Sequence, residues 1–165
     1  MSDRAPSPRH GTVPIGAPGE ERSLLGGIEL GGTHVVCAMG TGPDALNSVE
    51  FPTTRPEETI HRCAEFFREQ HDAGRLAALG VASFGPLCPD PCASDYGRIT
   101  TTPKPGWAHT DVLERLRRNL GGDHPPPLTF DTDVNGAALA EGRWGAARGL
   151  HTFLYVTVGT GIGGG

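Results

Sequence analysis

The sequence lacks an excess of positive charge. Its 165 residues carry 14 Lys and Arg against 19 Asp and Glu, and the formal net charge is -5. Binding to nucleic acid or to an anionic membrane surface requires a basic face. The composition therefore argues against both kinds of partner.

Long apolar runs are also missing. No stretch reaches the roughly 18 apolar residues that a membrane helix needs, and the N-terminus has no apolar core of the secretory type. We therefore expect a cytoplasmic protein.

Cysteine is scarce. Four cysteines (Cys37, Cys63, Cys88 and Cys92) are too few and too scattered for a disulfide scaffold, so reduced thiols are expected. Cys88 and Cys92 have a spacing that would suit two metal ligands, but a closed zinc site needs four. We expect no zinc site in this chain.

Glycine and proline are abundant, with 25 and 15 residues, which makes disorder an alternative to a packed fold. Their placement restricts that alternative to residues 1–23, where four prolines stand among polar residues with no apolar period. Such a segment buries too little surface to offset its ordering entropy. We expect it to be a disordered leader.

From Leu24 onward the pattern predicts a mixed α/β fold. LLGGIEL and HVVCAM are strands around the Gly31-Gly32 turn, and ALNSVEF is a third strand. Pro56 begins an amphipathic helix. LAALGVAS is a continuous apolar run between Gly and Pro, typical of a parallel strand covered on both sides.

The second half begins with a long loop, residues 84–109, in which only RITTT is a plausible strand. Thr110 and Asp111 are expected to cap a helix that stops at Gly121-Gly122. PLTF is the next strand, and DTDVNGAALAEGRWGAA is a helix whose small residues allow close packing. HTFLYVTV is predicted to be a buried strand.

Two glycine-rich turns are the main functional signal. The first comprises Gly31, Gly32 and Thr33, and the second comprises Gly159, Thr160 and Gly161. One such turn is most often only a tight turn, but two suggest a nucleotide held from two sides. Neither turn fits the Walker or the dinucleotide-binding pattern. Glu29 precedes the first turn and is either an ordinary strand-end carboxylate or a ligand, through water, of Mg²⁺.

Asp131 and Asp133 stand where a strand ends and a helix begins, which is where open α/β sheets carry reactive groups. Asp133 is either an N-cap that satisfies helix amides or a base that accepts the proton of an alcohol attacking a γ-phosphoryl group. The neighbouring phosphate turns favour the base.

The segment TTPKPGW offers a cation in Lys104 and an indole ring in Trp107. A sugar stacks its apolar face on such rings while polar groups hold its hydroxyls. The alternative is that Trp107 and Trp144 are packing residues.

The ordered motifs IELGGT, GVASFGP, ITTTPKPGW, FDTDVNGAALAEGRWGAA and YVTVGTGIGGG resemble those of the bacterial fructokinases of the ROK (repressor, open reading frame, kinase) family. The resemblance covers residues 24–165. It implies an actin-like ATPase or sugar-kinase (ribonuclease H-like) fold, with two α/β lobes around a cleft. It also implies phosphate transfer from ATP to a hexose 6-hydroxyl, with fructose as the first choice and mannose or glucose as alternatives.

Matched by position, the resemblance makes Asp133 the catalytic base and the two glycine turns the phosphate loops. It places the sugar against a set drawn from four segments: Ser83, Gly85, Lys104, Gly106, Trp107 and Asn135. Mg²⁺ would accompany ATP. Zn²⁺ is implied only for an intact family member, for which a homodimer is also compatible with the resemblance.

The resemblance further divides the chain into residues 24–127, an N-terminal lobe with the sugar-side loop, and residues 128–165, the start of a second lobe cut at the second phosphate loop. By itself the chain is expected to be inactive, with FLYVTV exposed and prone to aggregation. One alternative is a short protein that binds sugar or phosphate without catalysis. A sugar-responsive repressor is disfavoured because residues 1–23 are too short and too rich in proline for a DNA-binding helix-turn-helix.

Overall fold

The computed structural model describes residues 23–158 and 162–165, so the expected leader lies outside the described residues except for Ser23. The described ranges form one main sheet, three helices and a small hairpin. In chain order the elements are β1 (Leu24–Leu30), β2 (His34–Gly42), β3 (Ala45–Pro52), α1 (Pro56–Asp72), β4 (Leu76–Ser83), α2 (Val112–Leu120), β5 (Leu128–Thr132), α3 (Asp133–Trp144), β6 (Val156–Val158) and β7 (Ile162–Gly164).

The main sheet has five strands in the order β3-β2-β1-β4-β5. The first three strands are antiparallel, whereas β4 runs parallel to β1 and β5 runs parallel to β4. This arrangement confirms the predicted opening of three strands and the parallel strand LAALGVAS. The carboxyl ends of β1, β4 and β5 consequently lie along one edge of the sheet.

Helices α1 and α2 cover one face of this sheet. Their apolar stripes supply Ile60, Cys63 and Phe67 from α1, and Leu113 and Leu116 from α2, all of them buried. Burial of one such large apolar side chain contributes about 1.5–3 kcal/mol. The apolar residues whose spacing predicted both helices therefore form the faces that pack into the core. Within the described ranges, no helix combines the length and apolar character that crossing a membrane would require.

Polar contacts close the outer seam between the two helices. Arg115 pairs with Glu57, and the Arg68 guanidinium donates to the Asn119 carbonyl at 2.9 Å. The hydrogen bond from Arg115 holds the pKa of the exposed Glu57 carboxyl below its ordinary value. These contacts orient α2 on α1.

Two of the four free thiols lie in this core. Cys37 on β2 and Cys63 on α1 are both buried. Contact with the Cys63 thiol, followed by burial, raises the pKa of the Cys37 thiol far above its ordinary value. Cys37 is therefore a neutral packing residue.

The segment at the predicted lobe boundary, β5, belongs to the main sheet. Residue 128 was expected to begin a second lobe, yet β5 pairs with β4 from Leu79↔Leu128 to Ser83↔Thr132 and completes the first sheet. PLTF is compatible both with an edge strand of the first sheet and with the first strand of another sheet. A short apolar run predicts a strand but does not indicate which strand it pairs with. The sheet therefore continues across the predicted boundary.

The strand predicted for RITTT is wrong. Only isolated bridges, Leu87↔Ile99 and Arg98↔Asp111, occur in this segment. Its backbone groups bond within the loop instead, since the Thr100 N–H donates to the Pro86 carbonyl at 2.8 Å and the Ile99 N–H donates to the Thr110 carbonyl at 3.0 Å. Flanking prolines lack the N–H groups that a longer ladder would need.

HTFLYVTV is also not a buried strand. Only Val156–Val158 is extended, and its partner is the short β7. Val158 is 75% exposed and Leu154 is 72% exposed. A two-stranded hairpin cannot bury its own side chains. The apolar run therefore lies on the surface, which is where FLYVTV is expected to lie when no further strands cover it.

Asp111 is expected to contribute measurably to stability. It is the N-cap of α2, where its carboxylate accepts from the Glu114 N–H at 3.0 Å, and it also accepts from the Arg98 guanidinium at 3.0 Å. Asp111→Ala should lower the free energy of unfolding by about 1–2 kcal/mol. Asp111→Asn, which keeps the cap, should lose less. Equal losses in urea denaturation would contradict the capping role.

The exposed apolar surface predicts self-association of the 165-residue chain. The exposed fraction is 69–81% at Leu139 on α3, at Leu154 just before β6, and at Val158 and Ile162 in the β6–β7 hairpin. Sedimentation velocity should show oligomers or aggregates, reduced in the double variant Leu154→Ser, Ile162→Thr. Leu25→Ser with Leu46→Ser, at exposed positions elsewhere on the sheet, is the matched control. A monodisperse, cooperatively melting wild-type chain would overturn the prediction.

Candidate active site

Three strand ends meet at one edge of the main sheet. The register pairs Leu30 with Ser83 and Ser83 with Thr132, so the chain leaves β1, β4 and β5 at the same level. The Phe84 N–H donates to the Leu30 carbonyl at 2.8 Å and extends the pairing beyond the strands. In open α/β sheets ligands lie at such carboxyl ends. The Gly31-Gly32-Thr33 turn, called the first phosphate turn after its predicted role, is thereby brought together with the loop after Ser83 and with Asp133.

The first phosphate turn is a tight connection between β1 and β2. The Gly31 N–H donates to the His34 carbonyl at 3.0 Å. A Cβ at position 31 would lie 2.7 Å from that carbonyl oxygen, so this close approach requires glycine. Gly32 and Thr33 are exposed, which leaves their backbone and the Thr33 hydroxyl accessible to a ligand.

Asp133 is the first residue of α3 and is half-buried. The N-cap is Thr132, whose hydroxyl accepts from the Asn135 N–H at 3.2 Å. Asp133 accepts from the adjacent Val134 N–H at 2.9 Å. The N-cap position considered for Asp133 thus belongs to its neighbour, and the Asp133 carboxylate lies at the strand ends with one bond to a helix amide, that of Val134.

Asn135 is held by Asp131. The Asn135 amide nitrogen donates to Asp131 Oδ1 at 2.7 Å, and the same oxygen accepts from the Thr132 N–H at 2.7 Å. This pair fixes the orientation of the Asn135 side chain on the first turn of α3, beside Asp133.

A close helix-to-sheet approach positions α3. A Cβ at Gly136 would lie 2.6 Å from the Ala82 Cβ. Only glycine at 136 with a small residue at 82 allows this separation. The small residues predicted to let this helix approach another backbone have that effect here, and they set how far Asp133 stands from the sheet.

Of the two residues expected at the sugar wall, Ser83 is the last residue of β4 and Gly85 lies in the loop that follows it. Ser83 is fully buried, and its hydroxyl donates to the Phe84 carbonyl at 2.8 Å. Gly85 is half-buried, and a Cβ there would lie 3.0 Å from the Leu87 nitrogen. In this arrangement Ser83 shapes the loop from beneath, and its hydroxyl is not presented at the surface.

Trp107, expected to stack on a sugar, is instead part of the core. It is 0% exposed, its ring meets Phe84 edge-on at 5.3 Å between centroids, and its indole N–H donates to the Thr54 carbonyl at 2.8 Å. A buried ring has no free face for a ligand, so the packing alternative describes Trp107 here. An indole ring packs equally well against a sugar or in an apolar core, so the sequence did not decide between stacking on a ligand and packing in the core.

Lys104 lies near the first phosphate turn. Its ammonium donates to the Thr53 carbonyl at 3.3 Å. Gly106 adopts a left-handed backbone with φ of 80°, a conformation that favours glycine. The part of the long loop that carries Lys104 is therefore tied to the end of β3.

Glu29 and Asp131 lie in one row of the sheet, on either side of Ala82. Registered residues of neighbouring strands share a face, so both carboxylates belong to the α3 side. Two carboxylates with water and phosphate oxygens suit Mg²⁺, and this donor set fits the ion. Among the described residues no group of three or more His, Cys, Asp or Glu is placed to hold a metal, so any Mg²⁺ here would depend on water and phosphate for most of its ligands.

The second phosphate turn, Gly159, Thr160 and Gly161, lies outside the described residues. The strand after it, β7, packs on the first turn of α3, where a Cβ at Gly163 would lie 2.7 Å from Val134 Cγ1. The hairpin that carries this turn is thus packed beside Asp133.

Thr53 also belongs to the site, although no sequence pattern indicates it. This residue is buried beneath the first turn, and its hydroxyl donates to the Gly31 carbonyl at 2.7 Å. TTRP after a strand reads as a helix entry, and nothing local to it indicates a contact 22 positions away.

A family model described as "ROK family" matches residues 25–165. The chain is 47% identical over 148 residues to a fructokinase of Zymomonas mobilis, covering 88% of this chain and 48% of the relative. It is 44% identical over 143 residues to a putative fructokinase of Bacillus subtilis, covering 86% and 45%.

Among solved structures, the chain is similar to a ROK hexokinase from Thermus thermophilus, with a TM-score of 0.68 and 34% identity over 86% of this chain and 46% of that one. The likeness shows the actin-like, sugar-kinase fold. The chain spans about half the length of the curated relatives it matches.

The Gly136–Ala82 approach predicts a stability effect opposite to helix propensity. Ala stabilises a helix interior by about 1 kcal/mol relative to Gly. The clash with Ala82 should nevertheless make Gly136→Ala lower the free energy of unfolding by about 1–3 kcal/mol. Adding Ala82→Gly should recover most of the loss. A double-mutant cycle by denaturant unfolding measures the coupling, and a Gly136→Ala variant more stable than wild type would refute the close approach.

Proposed function

This chain belongs to the ROK family, and from that premise we propose that the protein carrying it phosphorylates a hexose with ATP. The observation that supports the proposal best is the meeting of Asp133 with the Gly31–Gly32–Thr33 turn at the carboxyl ends of three parallel strands. A base and a phosphate-binding turn at one edge are what phosphoryl transfer requires.

The proposed step is an in-line transfer. A hexose hydroxyl oxygen bonds to the γ-phosphorus of ATP while the bond from that phosphorus to the β,γ-bridging oxygen breaks and ADP leaves. The hydroxyl proton passes to the Asp133 carboxylate. Asp133 suits this role because Thr132 caps the helix in its place, and because α3 holds it at the strand ends.

The two phosphate turns act by positioning. The exposed Gly32 and Thr33 offer one backbone N–H each and one hydroxyl to phosphate oxygens. Gly159, Thr160 and Gly161 are proposed to do the same from the hairpin on the other side. Mg²⁺ bound to ATP would neutralise phosphate charge, with Glu29 and Asp131 as the carboxylates available to its water shell.

On the sugar side, Asn135 is proposed as the direct contact, since its side chain is held in place by Asp131. Ser83, Gly85, Lys104, Gly106 and Trp107 are proposed to shape and support the wall, since Ser83 and Trp107 are buried. A homodimer and a cytoplasmic location, where ATP is available, remain predictions.

D-Fructose is the proposed substrate, with fructose 6-phosphate as product. The two curated relatives above 40% identity described here are a fructokinase and a putative fructokinase. Glucokinases of Streptomyces coelicolor and Thermotoga maritima match at only 23% and 28% identity. Glucose and mannose are therefore the competing substrates, and ranking kcat/KM for the three sugars decides among them.

Asp133→Asn in the complete protein tests the base. The amide keeps the size of the side chain but accepts no proton, so kcat should fall by about 10²–10⁴-fold, while the Kd for the hexose measured by calorimetry stays close to the wild-type value. Asp44→Asn, the same chemical change at an exposed turn between β2 and β3, is the matched control. Unchanged turnover in Asp133→Asn would remove Asp133 from the mechanism.

A further inference from the structure

We infer that Thr53 is a positioning residue that orients the first phosphate turn and ties it to the segment that carries Lys104 and Trp107. The inference rests on the proposed function, because it assigns the turn to nucleotide phosphate. Thr53 does not itself meet the ligand. It acts through the backbone of Gly31 and Thr33.

Thr53 makes two bonds to the turn. Its hydroxyl donates to the Gly31 carbonyl at 2.7 Å and its N–H donates to the Thr33 carbonyl at 2.8 Å. The side chain is only 8% exposed. The turn is thus bonded at its first and third residues to one buried anchor.

These bonds determine where the turn's N–H groups point. The Gly31 carbonyl and the Gly32 N–H belong to one planar trans peptide unit, in which the two groups point in opposite directions. Holding the Gly31 carbonyl toward Thr53 therefore directs the Gly32 N–H away from it, toward the exposed side of the turn. Thr33 and the following N–H of His34 are related in the same way.

The turn needs such an anchor because two of its three residues are glycines. Glycine has more accessible backbone conformations than any other residue, so a glycine turn by itself does not hold its amides in one direction. Donors that are preorganised before the ligand arrives bind phosphate without a reorganisation cost. The Thr53 hydroxyl supplies that preorganisation.

Thr53 also joins the turn to the far end of the long loop, residues 84–109. Its carbonyl accepts from the Lys104 ammonium at 3.3 Å, and the next carbonyl, that of Thr54, accepts from the Trp107 indole at 2.8 Å. On the other side, the Thr54 N–H donates to the buried Thr59 hydroxyl at 3.0 Å. Lys104 is therefore placed to act on the turn through Thr53.

The test is Thr53→Val in the complete protein, which keeps the shape and removes the hydroxyl. Loss of one such hydrogen bond corresponds to roughly a tenfold effect, so the KM for Mg-ATP should rise about tenfold while the KM for the hexose stays near wild type. Thr53→Ser, which keeps the hydroxyl, should restore most of the affinity. Thr59→Val is the matched control, since it removes another buried threonine hydroxyl that makes no bond to the turn.

Three results would overturn the inference: an unchanged Mg-ATP KM in a folded Thr53→Val, a serine variant as impaired as the valine variant, or an equal Mg-ATP effect in Thr59→Val. If Thr53→Val does not fold, Lys104→Met tests the same link. It should raise the KM for Mg-ATP by about threefold, as loss of one weaker hydrogen bond would. A change confined to the hexose KM would instead place Lys104 on the sugar and refute the link.

Calorimetric titration with Mg-ADP separates this inference from the proposed function. If wild-type protein phosphorylates none of the three sugars, the proposed function fails. Thr53→Val must still weaken Mg-ADP binding for the positioning role to stand. If the wild-type protein is active and Thr53→Val binds Mg-ADP with the same affinity, only the positioning role of Thr53 is refuted.

Discussion

The parallel pairing of β1, β4 and β5 is the constraint on which the site depends. Because Leu30, Ser83 and Thr132 stand in register, three segments distant in sequence leave the sheet at one level and in one direction. A strand reversed in direction would send its loop to the other edge. The phosphate turn, the loop after Ser83 and Asp133 are neighbours for this reason. The other contacts of the site adjust the positions of these three segments.

The refinements depend on small residues and on anchors outside the turns. Glycine at 136 lets α3 approach Ala82, and glycine at 31 lets the chain turn against the His34 carbonyl. Both choices remove side chains that would otherwise stabilise the local conformation. The Thr132 cap of α3 and the Thr53 bonds to the turn compensate by holding these glycine-containing segments from outside.

Sequence patterns predicted the parts of the fold that are decided locally. The apolar stripes of α1 and α2 report helical period and burial together, so their bounds and their inner faces follow from the residues themselves. RITTT and HTFLYVTV failed because a strand is completed by its partner. RITTT bonds within its own loop, whereas Val156–Val158 pairs only with β7. The place of β5 depends on its partner in the same way, since it pairs with β4 in the main sheet.

The sequence by itself determined the chemistry available: a carboxylate at a strand-to-helix junction, two glycine turns, an apolar core and an ordered set of family motifs. The tertiary structure decided which groups are free to act. Trp107 became a core residue and Thr132 took the cap that Asp133 was a candidate to provide. Thr53 gained a role through Gly31, which lies 22 positions away. Local patterns indicate which roles a side chain could have. Burial and long-range hydrogen bonds select among these roles, and they depend on packing because the residues that make the contacts come from distant parts of the chain.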